Sequence, residues 1–527
     1  MRRYGKITAA FLSVLALGLC LISGCASSTE SGAPTVRIAI PYEEQLFGIN
    51  DEYYKAWLEE QSGLKIEFTF IPKAYTDEYL RMLLSGQDSD IDAVFFSEDS
   101  APSSMELSSY GAQGKLAALE GLIAEHGAYL PEVFERHSAY DLRQAITQAD
   151  GHIYYMPALH ASASTENFQT LWINVEYLEE LGLTIPQTTE DFEQALRAFA
   201  RHNPDGAPLI GGIGQENNFS CNFLMNSFTV CDPNNAYMAV ENGRILFTPV
   251  TEEWRAGLRY CHQLYTEGLL PAQNFTYTTG ELVSFCNDPR SLAGAFTAKR
   301  MSDILSQQSP QLLSRYLAVP PLTGPERAGV AIVETPLPYP GGVILSSSVR
   351  QKEAFALMDL MCSKDAYLIG HYGEPGVDWT ESEVGDITIN GEPAAITIKS
   401  VDKLRRENAA GVVGPFVAQA DYVDNVAWKG YQVNQSEYLE ARAFRVYQPY
   451  APAEYIRAIL FATDIQAKEQ RLRNVSAYTK AWMVDFIAGK RDIDDDAVWA
   501  EYLTGFETYD LESLTASVQR SYDRMEE

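Results

Sequence analysis

A chain of 527 residues with 71 acidic against 40 basic side chains carries a formal net charge of −31 at pH 7. So acidic a surface repels phosphates, which excludes nucleic acid as a partner. With 46 % hydrophobic and 11 % aromatic residues the chain is globular rather than disordered, and its length calls for at least two domains.

The first element in chain order is an export signal. Arg2, Arg3 and Lys6 precede an uncharged apolar run from Ile7 to Ile22, which is shorter than the roughly 20 residues of a spanning helix. The run closes on Leu21-Ile22-Ser23-Gly24-Cys25, which resembles the lipobox of bacterial lipoproteins. That resemblance implies cleavage after residue 24 and lipidation of Cys25, with two or more palmitate-type acyl chains making the anchor stable. Losing Arg2, Arg3 and Lys6 with residues 1–24 moves the net charge from −31 to −34. Residues 25–34 then form the lipidated cysteine and a small, polar tether.

Order begins with an alternating strand at Val36–Ile40. Asp51–Ser62 reads as an amphipathic helix with Tyr54, Trp57 and Leu58 on one face and Gly63 at its stop. Lys65–Ile71 alternates again, placing Ile66, Phe68 and Phe70 on one side. A helix over Asp77–Ser85 and a short apolar strand over Ile91–Phe96 complete a β-α-β-α-β rhythm, which predicts a parallel sheet flanked by helices. Ligands of such sheets sit beyond the carboxyl ends of the strands. That rule points to Tyr42 and Glu43 after the first strand and to Ser97 and Glu98 after the third.

A second unit opens near Ile153–Pro157. Thr188 and Asp191 cap a helix that carries Phe192, Leu196 and Phe199 on one face. Cys221–Val230 reads as helical, Leu292–Phe296 and Gly341–Leu345 as strands, and Lys352–Met361 as a helix. The stretch Glu381–Arg405 is irregular, and from Pro452 onward the chain is mostly helical. Cys20 leaves with the signal and Cys25 is committed to lipid. Five cysteines remain (Cys221, Cys231, Cys261, Cys286 and Cys362), an odd number that favours buried thiols over a disulfide framework, with a Cys221–Cys231 bridge as the alternative.

Several segments now resemble one family, the extracellular solute-binding proteins (family 1) of ABC importers, in their large lipoprotein branch common among Gram-positive bacteria. They are Leu171-Trp172-Ile173-Asn174 running into Leu181-Gly182-Leu183, Leu264-Tyr265-Thr266-Glu267-Gly268-Leu269, and the loop Gly373-Glu374-Pro375-Gly376-Val377-Asp378-Trp379. Phe486-Ile487-Ala488-Gly489-Lys490 followed by Trp499 and Tyr502, and then Gln519–Arg524, match the helical C-terminal pattern. The resemblance implies an α/β, periplasmic-binding-protein-like two-lobed clamp of type II, with parallel-rich sheets and a helical C-terminal part. It implies an N-terminal lobe from residues 35–155 and 345–385 and a C-terminal lobe from 156–344 and 386–527. The function it implies is capture of an oligosaccharide in the interlobe cleft and delivery to a membrane permease at the outer face of the cell membrane, as a monomer. A peptide-binding receptor and a surface sensor outside transport are the alternatives. Members often carry a calcium-binding loop where this chain has Arg201–Leu209. Only Asn203 and Asp205 offer oxygen side chains there, against the six to eight ligands calcium takes, so no metal or cofactor is expected.

Enzyme signals are poor: the seven histidines form no zinc-ligand spacing, and neither a G-x-S-x-G elbow nor a P-loop occurs. Binding signals are better, since aromatic rings stack on sugars and lose few rotamers in doing so. Trp379, in a glycine-rich loop, is the leading ligand candidate, with a core plug under that loop as its structural alternative. Asp378 can hold a hydroxyl or cap the loop. Trp172 and Asn174 lie beside the expected crossover, Tyr155 is preferred over Tyr154 at its start, and Asn217 enters from the second lobe.

Overall fold

The computed structural model describes residues 33–42, 52–84, 90–136, 141–148, 150–159, 166–167, 169–213, 216–288, 293–306, 309–334, 337–388, 391–399, 413–418, 425–428, 435–452, 454, 456 and 469–526. The signal, Cys25, residues 26–32 and Glu43 lie outside the described residues, and the side chains of Tyr42 and Asn217 are likewise not described.

In chain order the first strands are β1 (Thr35–Tyr42), β2 (Lys65–Pro72), β3 (Ala93–Phe95), β4 (Met156–Leu159), β5 (Glu166–Asn167) and β6 (Thr170–Asn174). Next come β7 (Met238–Glu241), β8 (Arg244–Phe247), β9 (Ala295–Ala298), β10 (Tyr316–Val319), β11 (Val333–Glu334) and β12 (Tyr339–Ile344). The last are β13 (Trp379–Glu381), β14 (Ile396–Ile398), β15 (Phe416–Val417) and β16 (Val426–Trp428).

The first lobe is built on a six-stranded sheet of order β15-β4-β12-β3-β1-β2. The predicted β-α-β-α-β start is present, with β1 parallel to both β2 and β3. Gly63, at φ +67°, ends the helix Glu52–Ser62 in the left-handed conformation a side chain resists. That helix buries Tyr54 and Leu58 and packs against the helices Gln351–Met361 and Lys364–Tyr372. One facing prediction fails on β2, where Phe70 is exposed and Ile71 is buried. β2 is the edge strand, so its far end leaves the cover of the lobe and its alternation slips.

The second lobe holds the three-stranded sheet β10-β6-β9, whose pairings are all antiparallel. Parallel pairing in the second lobe is confined, among the described residues, to single bridges such as Ala207 with Ala293 and Ile210 with Phe296. Around this sheet lie two hydrophobic clusters, one of which gathers Phe192, Leu196, Trp254, Phe486, Trp499 and Tyr502 from four helices. The capping box at Thr188 and Asp191 and the buried face of the helix Thr189–His202 follow the sequence reading. Cys221, Cys231, Cys261, Cys286 and Cys362 are all buried free thiols.

The lobe boundaries differ from those expected. β4 and β12, assigned by sequence to the second lobe, are central strands of the first-lobe sheet, where β12 runs antiparallel to β3 and β4. β15 and the small sheet β13-β14-β16 also belong to the first lobe, since Trp379, Ile396, Phe416 and Val426 share its core. The chain therefore passes from one lobe to the other between β4 and β6, between β10 and β12, and between β16 and the helix Gln435–Tyr447 that packs on β10. The physical reason is that these strands pair with partners over a hundred residues away, which local periodicity cannot register.

Candidate functional site

β1, β2 and β3 present their carboxyl ends on one side of the first lobe. After β2 the chain makes a turn of 3-10 helix, Lys73–Tyr75, and enters the helix Thr76–Leu84. After β3 it makes the turn Glu98–Ser100 and enters the helix Ser104–Ala112. Between these two returns opens a cavity of about 590 Å³, lined by Thr76, Asp77, Leu80 and Arg81 on one wall and by Ser100, Ala101, Pro102, Glu106 and Tyr110 on the other.

The walls are held by local hydrogen bonds. The Ser97 backbone N–H donates to Ser100 Oγ at 2.9 Å, and the two hydroxyls lie 2.9 Å apart. Glu106 accepts from the Ser103 N–H at 2.9 Å and from its hydroxyl at 2.8 Å, a capping box that fixes the entry to its helix. Arg81 Nε donates to the Asp77 carbonyl at 3.0 Å, which lays the guanidinium back along its own helix. The Thr76 hydroxyl oxygen is buried and has no hydrogen-bond partner among the described residues. Tyr75, immediately before it, is 60 % exposed. An exposed phenol ring, three hydroxyls, two carboxylates and a guanidinium suit a ligand with an apolar ring face and many hydroxyl edges.

Ser97 and Glu98 open the turn whose last residue, Ser100, lines this cavity, though neither is itself among its lining residues. The same rule applied to β2 would have found Tyr75, Thr76 and Asp77, which sequence reasoning passed over. Tyr110 and Arg81 carried no separate signal, because each sits one or more helical turns beyond a strand end.

Other candidates are placed in the interior, which corrects their expected ligand role. Trp379 is 8 % exposed and its indole N–H donates to the Gly373 carbonyl at 2.9 Å, so it plugs the loop from beneath. Asp378 is buried and accepts the Glu374 N–H at 2.8 Å. Gly373, at φ +91°, lies so close to that carboxylate that any side chain would strike it. Trp172 is fully buried against Phe296 and Tyr316. Asn174 is fully buried and caps the helix Val175–Leu181, accepting the Tyr177 N–H at 3.2 Å. Tyr155 is buried, and that burial pushes its phenol pKa well up. Tyr154 beside it is held by Asp150 at 2.8 Å.

In the second lobe, the segment around Asn217 is part of a polar knot near the first crossover. Thr297 Oγ1 donates to the Asn218 carbonyl at 3.0 Å, and Lys480 pairs with Glu216 at 2.6 Å. Asn203 of the loop Arg201–Leu209 donates to the Tyr177 hydroxyl at 2.9 Å. Among the described residues no group of three or more His, Cys, Asp or Glu is placed to hold a metal ion.

No family model matches the chain. It is 21 % identical over 556 residues, covering 97 % of each chain, to the fructooligosaccharide ABC transporter substrate-binding protein FusA of Streptococcus pneumoniae. It is 25 % identical over 397 residues to lipoprotein LipO of Bacillus subtilis, covering 69 % of this chain and 72 % of LipO. Among solved structures, FusA in complex with kestose superposes with a TM-score of 0.67 at 18 % identity, covering 93 % of this chain and 99 % of FusA. An extracellular solute-binding protein of Bifidobacterium longum subsp. infantis gives 0.70 at 18 % identity, covering 94 % of this chain and 99 % of that one. The shared fold is the two-lobed clamp.

Proposed function

The chain is a relative of the ABC-transporter substrate-binding proteins, and on that premise we propose that it is the oligosaccharide-capturing receptor of an ABC importer. The observation that carries the reading is the hydroxyl-rich cavity at the carboxyl ends of the first-lobe strands, with Tyr75, which precedes the lining residue Thr76, exposed. Alignment along 97 % of FusA, whose name specifies fructooligosaccharide, supports the ligand class. The side chains that touch the sugar come from the 72–77 and 97–110 segments, with Tyr75 stacking on a ring face and Thr76, Ser100 and the lining carboxylates reading hydroxyls. The second lobe closes over the ligand by hinge rotation against the first. The closed form is the one a permease recognises. The receptor is monomeric, has no enzymatic step of its own, and is held at the outer face of the cell membrane by lipid on Cys25.

Thermal-shift screening of the purified chain tests this. A ligand that binds only the folded form stabilises by RT ln(1 + [L]/Kd), about 2.7 kcal/mol at a hundredfold excess over Kd. A rise in Tm with one glycan series, lost in Tyr75→Ala, is the expected result. Shifts with short peptides alone would replace the ligand class, and no shift with any glycan would remove the reading.

A further inference from the structure

We propose that Cys221 and Cys261 are a disulfide-forming pair, a modification site in the core of the second lobe that an oxidant closes while the chain folds. Cys221 lies on the helix Ser220–Met225 and Cys261 on the helix Glu252–Thr266, and both are fully buried in one hydrophobic cluster. The two helices pack where Gly257 lacks a side chain, since a Cβ there would sit 2.6 Å from Met225 Sδ. Cys221 is one turn before Met225 and Cys261 one turn after Gly257, so each cysteine shares its helix face with the residue at that contact. The fold accordingly brings the Cys261 thiol up to that of Cys221.

The other cysteines are placed differently. Cys286 belongs to the second hydrophobic cluster of that lobe and Cys362 to the core of the first lobe. Cys231 is the rival, because it shares the cluster with the pair. Its N–H donates to Asn226 Oδ1 at 2.8 Å and its thiol to Asn222 Oδ1 at 3.7 Å, so its sulfur is directed at the amide beside Cys221 and not at the Cys221 sulfur. A bridge from Cys221 to Cys261 would close a loop of roughly 40 residues that carries the hairpin of β7 and β8.

The co-reactant is a low-molecular-weight disulfide. One cysteine thiolate attacks it, expelling one small thiol and leaving a mixed disulfide on the protein. The second cysteine thiolate attacks the protein sulfur of that mixed disulfide and expels the other small thiol. The pair thus loses two electrons and two protons, and the reagent gains them. Burial, and next the Cys261 thiol itself, push the Cys221 thiol well above its ordinary range, so thiolate is scarce once the lobe has formed. Oxidation therefore belongs to folding, before the two helices close over the sulfurs. Disulfides persist outside the reducing cytosol, where the chain is proposed to act. The inference is independent of which ligand the first-lobe cavity takes.

The experiment is refolding of the purified chain from denaturant in a buffer of oxidised and reduced glutathione. Denaturation, alkylation of the remaining thiols and peptide mapping by mass spectrometry follow. The expected result is a cross-linked peptide pair joining Cys221 to Cys261, two hydrogens lighter than the reduced peptides, with Cys231, Cys286 and Cys362 alkylated. The Tm is expected to rise by several degrees over the chain refolded with dithiothreitol, a rise absent in Cys261→Ser. The mapping needs only the parent chain, so it decides the matter even if Cys261→Ser fails to fold. A folded, reduced chain placed in the same buffer is expected to oxidise far more slowly than the refolding one, and equal rates would overturn the order of events. Alkylation of both Cys221 and Cys261 after oxidative refolding overturns the pairing. So does a bridge from Cys221 to Cys231, or a chain that refolds with dithiothreitol but not in the glutathione buffer.

Discussion

The two lobes treat the same kinds of side chain in opposite ways. In the second lobe Arg255 is 5 % exposed, gives its Nε to the Ile493 carbonyl at 3.0 Å, pairs with Asp496 at 2.8 Å, and lies 5.3 Å from the ring centroid of Trp499. Trp499 in turn packs on Tyr502 at 5.0 Å between ring centroids, and Tyr502 on Phe506 at 5.0 Å. Aromatic and cationic groups there tie the C-terminal helices to the lobe. At the strand ends of the first lobe, Tyr75 stands in solvent and the Thr76 hydroxyl has no partner among the described residues. What separates the two regions is thus exposure and not the lack of a partner, since Arg255 Nη2 and the Tyr502 hydroxyl are also unpartnered among the described residues of the second-lobe interior.

Substitutions sharpen this contrast. The largest effect is expected at Trp499→Ala, about 3–5 kcal/mol of lost stability from the cavity it leaves, read as a fall in the urea midpoint. Asp359→Ala comes next. Its buried carboxylate accepts the N–H groups of Ala128, Tyr129 and Leu130 at 2.7, 3.0 and 2.8 Å, stitching the helix Gln351–Met361 to the start of the helix Leu130–Arg136. Leaving the buried Leu130 donor unpaired and losing the two part-buried bonds should cost about 2–3 kcal/mol in the same assay, with Asp359→Asn losing less.

Tyr75→Ala should do the reverse of both, changing stability by less than about 0.5 kcal/mol while weakening glycan binding roughly tenfold. A Tyr75→Ala chain as destabilised as Trp499→Ala would break the comparison.

The smallest effect concerns pH. His152 Nδ1 lies 2.5 Å from Glu120, and that hydrogen bond, with the carboxylate's charge, raises the imidazole pKa above its model-compound value of 6.5. A raised folded-state pKa means that the contribution is fully present below about pH 6.5 and is lost as pH rises through the folded-state value. The Tm difference between the parent chain and His152→Ala should therefore be greatest below about pH 6.5 and shrink as pH rises above it. A difference that grows with pH would contradict the sign.

Local pattern carried the sequence reading as far as local physics reaches. β1, the helix Glu52–Ser62 with its Gly63 stop, the capped helix at Thr188 and the helix Gln351–Met361 each follow from periodicity and end signals within a dozen or so residues. The placing of β4, β12 and β15 does not, because sheet order is settled by pairing between distant segments. The site was half legible for a related reason. The strand-end rule reached Ser97 and Glu98, but aromatic chemistry drew attention to Trp379 and Trp172, whose rings the fold spends on its interior. Whether a tryptophan faces a cleft or a core depends on what covers it, and the Gly373 carbonyl that satisfies the Trp379 indole is fixed only by the folded loop.

Hydrogen–deuterium exchange with and without a saturating glycan tests the account most directly, because it locates the ligand without presuming which residue binds it. The account predicts slowed exchange over residues 72–77 and 97–110, where the cavity walls lie, together with the crossover near β5 and β11. Protection confined to the Gly373–Trp379 loop or to the second-lobe core, with the strand ends of the first lobe unchanged, would contradict it.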